Sequence, residues 1–197
     1  MARYDKAHKQ RTRQRIVETA GRRLKTDGID GSGVATLMSD AGLTNGAFYA
    51  HFASKDELVA TAVAHELQSQ QQRLAPLAGT GRAGLEQIAR EYLSPQHRDD
   101  PAGGCASAAL MDEIGRCTQD TRKAYASSVM AVVEALAAVL DPAVPESARA
   151  AALGIYIHLV GTLQLSRAVA DPHLSLEILE QGVHQVLRLG DLRHTGP

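Results

Sequence analysis

The chain has 197 residues, 44% of them hydrophobic and 4% aromatic, with two Cys, no Trp and a formal net charge of −1. That length supports a sizeable core in one or two domains. Richness in Ala and Leu with few β-branched runs favours helix over sheet, and two cysteines exclude a disulfide scaffold. No run of eighteen or more apolar residues suggests a membrane span, and the polar start Met1–Lys6 has no signal-peptide core, so a reduced, cytoplasmic chain without membrane partners is expected.

The charge is unevenly spread. Residues 1–25 hold nine bases (Arg3, Lys6, Lys9, Arg11, Arg13, Arg15, Arg22, Arg23, Lys25) against Asp5 and Glu18, a balance of +7 that leaves −8 for the remainder. A basic head on an acidic body suits a polyanionic partner at one end, although a solvated amphipathic helix has the same composition. The head reads as a first helix over about His8–Thr26, with Ile16, Ala20 and Leu24 recurring every four residues beside Val17. Asp27-Gly28 closes it, Gly28 standing where a left-handed cap belongs. A glycine-rich connector leads to a short second helix, Val34–Ala41, with Leu37, Met38 and Ala41 inward. Gly42-Leu43-Thr44 has the length and glycine of a helix-turn-helix join. Thr44 is placed to cap a third helix, Asn45 to about His51.

In that third helix Phe48 and Phe52 share a face and can pin it, with Leu43, onto Ile16, Ala20 and Leu37. Asn45, Gly46, Ala47, Tyr49 and Ala50 then point outward, a small polar surface able to enter a major groove. There an Asn can pair with adenine, an Ala can touch a thymine methyl and a Tyr hydroxyl can reach a phosphate. Ser54-Lys55-Asp56-Glu57 reads as a capping box opening a long helix to about Leu74, with Val59, Val63 and Leu67 on one face. Lys55 in its first turn opposes the helix dipole at ~0.3–1 kcal/mol. A phosphate at that helix start would use the cation together with free backbone N–H groups.

The stretch Gly42-Leu43-Thr44-Asn45-Gly46-Ala47-Phe48-Tyr49-Ala50-His51-Phe52-Ala53-Ser54-Lys55-Asp56-Glu57-Leu58, behind a basic first helix, resembles the signature of tetracycline-repressor (TetR/AcrR) family transcriptional regulators over about residues 10–60. The resemblance implies an all-α homodimer. An N-terminal helix-turn-helix DNA-binding domain, residues 1–53, is joined to a larger helical effector-binding and dimerisation domain, residues 54–197, that starts with the connecting helix. By motif position it implies phosphate contacts for Thr44, Tyr49 and Lys55 and a base-facing surface of Asn45, Gly46, Ala47 and Ala50. His51 packs or caps the helix end. The sequence departs from the family at the start of the second helix, where Gly33, preceded by Ser32, stands in place of the usual hydroxyl residue. The partners implied are double-stranded operator DNA with a pseudo-palindromic site, a second copy of the chain and a small-molecule effector of unknown identity. No cofactor or metal is implied. An effector in the body would shift the long helix that starts at Ser54 and misplace both recognition helices, which makes the chain a repressor released by its ligand.

Beyond a break at Pro76–Gly84, helices are expected at about Ala83–Leu93, Cys105–Arg116, Gln119–Leu140, Ser147–Ala170 and Ser175–Leu189, with Pro and Gly segments between most of them. Polar residues on their apolar faces include Asp112, Glu113 and Gln164. Tyr92, Met111, Tyr125, Met130, Tyr156 and His158 are the candidate effector-pocket residues, each also readable as ordinary core. Cys105 and Cys117 are a candidate redox pair, but on one continuous helix they lie ~18 Å apart, so only a break near Gly115 brings them together. The last two helices are expected to carry the dimer contact. Gly154, Ala151 and Gly161 permit close approach, and Leu176, Leu179 and Val183 supply apolar area.

Enzyme motifs fail on context. Gly79-Thr80-Gly81-Arg82-Ala83-Gly84 matches a dinucleotide loop with Asp99 twenty residues on, but no strand precedes it. His65-Glu66 begins a zinc-protease motif whose second His is Ser69, and no GxSxG elbow occurs. The chain is therefore expected not to be an enzyme.

Overall fold

The computed structural model describes residues 2–143 and 145–191, with side chains for 7–143 and 148–191. The side chains of Arg3 and Lys6, counted in the basic head, and the stretch around Ser147 lie outside the described side chains. The described residues form an all-helical fold: α1 Ala2–Gly31, α2 Val34–Asp40, a 3-10 helix Asn45–Ala50, α3 Lys55–Leu74, α4 Gly81–Tyr92, α5 Pro95–Asp99, α6 Ala106–Ile114, α7 Gln119–Leu140, α8 Pro145–Ala168 and α9 Pro172–Asp191.

The head follows the apolar stripes. Ile16, Ala20 and Leu24 of α1 and Leu37 and Met38 of α2 have no exposed surface, and Phe48 is 1% exposed between them. At ~1.5–3 kcal/mol for each large side chain, this burial supplies most of what holds the two short helices onto α1. α1 is longer than its pattern suggests at both ends. Its first turns extend back to Ala2, and at the far end it kinks at Gly28, whose φ of 78° and ψ of 168° lie in a region open essentially to glycine, with ψ far from that of the left-handed cap expected there. Helix then resumes to Gly31 because α6 supplies the missing acceptor. The Glu113 carboxylate accepts from Ile29 N–H at 2.8 Å and Asp30 N–H at 3.0 Å.

α3 starts as its capping sequence predicts, with Ser54 Oγ accepting from Glu57 N–H at 3.1 Å. The return bond reaches one residue further back than in a capping box. Glu57 Oε2 accepts from Ala53 N–H at 2.7 Å, while Oε1 pairs with Arg13 at 3.2 Å and ties α3 to α1. α7 and residues 148–168 of α8 are long and apolar enough to cross a membrane by length and composition. Here both are packed helices of the body, α7 between α3 and α8, and α8 against α9.

Two expectations about the body change. The Pro95–Gly104 segment, expected only to separate two helices, opens with a helical turn over Pro95–Asp99: Ser94 caps it by accepting from His97 N–H at 3.1 Å, and Pro95 occupies its first turn. Leu179 and Val183, expected at a subunit contact, are 3% and 2% exposed within one chain. They are core because α9 lies close against α4 and α8. At Gly182 an added Cβ would stand 2.4 Å from Thr162 and 2.8 Å from Leu93.

Candidate nucleic-acid interface and effector cavity

The Asn45–Ala50 segment is a 3-10 helix, where an α-helix was expected. Six residues with a glycine at the second position hold few α-helical bonds. The Thr44 hydroxyl, expected to cap the segment, makes no cap bond. The turn closes instead through Ala47 N–H to Thr44 O at 3.0 Å and His51 N–H to Phe48 O at 2.9 Å. Its shape is set by rings. Phe48 stacks on Phe52 with centroids 5.9 Å apart and meets Tyr49 edge-on at 5.2 Å. The Arg13 guanidinium lies 4.4 Å above Phe52.

Thr44, Asn45, Gly46 and Ala50 are exposed, and Tyr49 is 78% exposed. Ala47 differs from the expected outward face: it is half-buried and packs on the core. Nothing lies within 4 Å of a Cβ added at Gly46, so a flat surface can approach the backbone there. His51 packs as expected. Its Nδ1 is buried without a partner, and burial, with the cations of Lys9 and Arg13, pulls its pKa below the ordinary imidazole range.

Not every base of the head faces outward. Lys9, Arg11 and Arg15 are exposed. Arg23 is bound by Asp40 at 2.6 Å and Asp27 at 2.9 Å. Lys25 is buried, pairing with Glu66 of α3 at 2.6 Å and donating to Gly104 O at 2.9 Å. Lys55 donates to Ile29 O at 2.5 Å, an acceptor near the end of α1 that offsets its unfavourable place in the helix dipole. Ser32 does not replace the hydroxyl that the family pattern places at the start of α2. It is fully buried and donates to Gly28 O at 2.7 Å.

The body holds a cavity of about 710 Å³ between α3, α4, the 94–105 segment, α7 and α8. Leu74, Leu77, Ile88, Leu136 and Leu159 form its apolar wall, and Gln70, Tyr92, His97 and Cys105 its neutral polar part. Of the six expected pocket residues only Tyr92 lines it. Tyr125 and Tyr156 meet behind it, through Ser107 at 3.0 and 2.7 Å. Met111 is 43% exposed on α6, and Met130 and His158 do not line the cavity. These alternatives were not separable by periodicity, because the cavity is defined by which helix faces meet. Gln70 carried one usable signal, standing one turn beyond Glu66 on the same face of α3.

His97 holds the cavity wall. Nδ1 donates to Tyr92 O at 2.7 Å, and Nε2 accepts from Cys105 N–H at 3.0 Å, which requires the neutral ring. Burial is the main reason its pKa falls below the ordinary value. Cys105 caps α6 and Cys117 follows its other end. The nine-residue helix keeps them ~13 Å apart along its axis, so the break at Gly115 does not bring them within disulfide reach. Burial raises the Cys117 pKa, with nearby Asp56 and Asp30 adding to it, so that thiol is not activated. The Gly79–Gly84 loop has no strand before it among the described residues. It opens α4, with Gly79 and Gly81 at positive φ.

Comparison with known proteins agrees with this geometry. Residues 16–62 match the family model for bacterial regulatory proteins of the tetR family. The fold resembles the reduced form of Escherichia coli NemR (TM-score 0.75, 21% identity, 89% of this chain and 94% of that one). It also resembles a TetR-family transcriptional regulator from Cytophaga hutchinsonii (TM-score 0.76, 17% identity, 93% and 95%). A third match is the Bacillus subtilis regulator FadR in complex with stearoyl-CoA (TM-score 0.60, 15% identity, 86% and 97%). Comparison with curated protein sequences gave no match.

Proposed function

We propose that this chain, a TetR-family transcription regulator by its N-terminal domain, is a repressor that binds a pseudo-palindromic operator as a homodimer and leaves it when a small molecule fills the body. The observation that carries the DNA reading is the Asn45–Ala50 segment. It is pinned from beneath by Phe48, open above, and preceded by a helix with exposed Lys9, Arg11 and Arg15. Asn45, Gly46 and Ala50 face bases, with Ala47 at the edge of that surface. Tyr49 and the uncommitted Thr44 hydroxyl hold phosphates. Lys55 serves twice, on Ile29 O in the free protein and on a phosphate when bound.

Release follows from how the cavity meets the head. Gly104 and Cys105 form part of the cavity wall, and Lys25 of α1 grips the Gly104 carbonyl. Glu113, one helix further on, grips the end of α1. A ligand that displaces this wall therefore acts on α1 directly, as well as on α3 through Glu66 and Gln70. The FadR neighbour, crystallised with stearoyl-CoA, supports a ligand-holding role for such a body. The test is selection of bound duplexes from random DNA, followed by titration of the selected site at several salt concentrations. Asn45→Ala should relax base preference and Lys55→Met should weaken all sequences alike. Recovery of no preferred site, or an affinity indifferent to salt, overturns the reading.

A further inference from the structure

The cavity's chemistry specifies what it holds, on the reading that it is the effector site. Its charged residues balance and are mostly committed. Arg90 pairs with Glu86 at 3.0 Å, Glu91 accepts from Gln87 at 2.9 Å, and Asp100 accepts from Gly103 N–H at 3.0 Å. Arg73 is exposed at the rim. Behind the wall, Lys25 is already neutralised by Glu66, and Arg167 gives its donors to the carbonyls of His97 and Arg98 at 2.7 and 3.0 Å. Arg73, Arg90, Glu91 and Asp100, the charged residues that line the cavity, are all exposed, so its buried part presents no charged side chain of its own.

What remains unspent is neutral. The Tyr92 hydroxyl is buried at the wall and has no hydrogen-bond partner. Burial, together with the neighbouring Cys105, holds its pKa well above the ordinary phenol value, so the group keeps its proton and is a donor. A buried donor without an acceptor is a standing cost that a ligand oxygen removes. We infer that the cavity takes an uncharged, largely apolar molecule carrying a hydrogen-bond-accepting oxygen, which the Tyr92 hydroxyl binds against the leucine-rich wall.

Three probes of one shape separate the possibilities: 2-acetylnaphthalene (neutral acceptor), 2-naphthoate (anion) and 2-ethylnaphthalene (no acceptor). They are titrated against the full chain and against Tyr92→Phe, with thermal melting to check that the variant folds. The ketone should bind tightest, lose about fivefold in affinity in Tyr92→Phe, and slow alkylation of Cys105 by iodoacetamide in a Cys117→Ser background. The affinity of 2-ethylnaphthalene should not change with Tyr92→Phe. Tightest binding of the naphthoate, a ketone affinity indifferent to Tyr92→Phe, ketone binding that leaves Cys105 unprotected, or no binding by any probe overturns the inference. Ketone binding that meets these criteria yet leaves operator affinity unchanged upholds the ligand class and overturns effector release instead.

Discussion

Three side chains carry more than their neighbours, each for a different physical reason. Phe48 is the only large side chain of its turn facing inward, and nothing regular besides it holds a six-residue 3-10 helix in place. Phe48→Ala should cost ~3–5 kcal/mol, read as a lower urea midpoint, while Phe48→Leu costs much less. If the alanine variant melts like the parent, the turn is held by something else. Lys25 is a buried ammonium whose partner, Glu66, would keep its charge if Lys25 were lost. Lys25→Met should therefore destabilise by roughly 3 kcal/mol, with much of that recovered in Lys25→Met/Glu66→Met. Failure of the double variant to recover stability would place the cost in packing around Gly21, where the Glu66 side chain closes on the α1 backbone. His97 gives a pH dependence. Its folded pKa is depressed by burial, while the unfolded ring titrates near ~6.5. The unfolded state thus takes up the proton first, and the His97 contribution is complete above that value and lost as pH falls through it. Urea midpoints measured from pH 8 to pH 5 should fall less steeply in His97→Gln than in the parent. An equal slope would show that the ring does not carry the wall. The slope that remains belongs partly to His51 and His158, which burial shifts in the same direction.

Between elements, the decisive contacts are those that join head to body, and these were the least legible in the sequence. The stripes of α1 and α2, the capping serine of α3 and the aromatic pin were readable because each depends on residues three or four apart. Glu113 stood out only as a polar residue on an apolar face. Its function as a cap for the end of α1 depends on a pairing 84 residues away in the chain. The 3-10 geometry was missed because residue spacing alone does not distinguish it from a single α-turn. Leu179 and Val183 were misplaced because an apolar stripe does not say which neighbour covers it. α1 is thus held by α6 through Glu113, by α3 through Lys25, Lys55 and Arg13, and by the cavity wall through Gly104. Glu113→Gln keeps an acceptor oxygen but removes the charge that strengthens bonds to two N–H groups. It should leave operator affinity of the ligand-free protein within a few-fold. It should also reduce the linkage between operator and ligand, a coupling typically worth ~1–3 kcal/mol. The measurement is ligand affinity with and without operator, in parent and variant. Unchanged linkage would route the coupling along α3 alone.

For the molecule as a whole, the body's exposed apolar residues bear on assembly. Leu153, Ile157 and Leu165 are 39%, 63% and 54% exposed and fall at four-residue multiples along α8, so they form one stripe. Gly154 and Gly161 lie along it with open space above them, which lets another helix approach closely. Large exposed apolar side chains in a line along one helix are what the proposed homodimer contact would leave uncovered in a single chain. Ile157→Arg places a charge in the middle of that stripe without disturbing the core, so the variant should melt like the parent. It should sediment as a monomer of 21.0 kDa. Two heads reading grooves ~34 Å apart bind far more tightly when joined than singly, by ~10²-fold or more. Operator affinity should fall by at least that factor. The salt dependence should shrink by about half, because one head neutralises half the phosphates. A variant that remains dimeric would move the contact off this face of α8. A monomer that kept full operator affinity and the full salt slope would mean that one head suffices, and the pseudo-palindromic reading would fall with it.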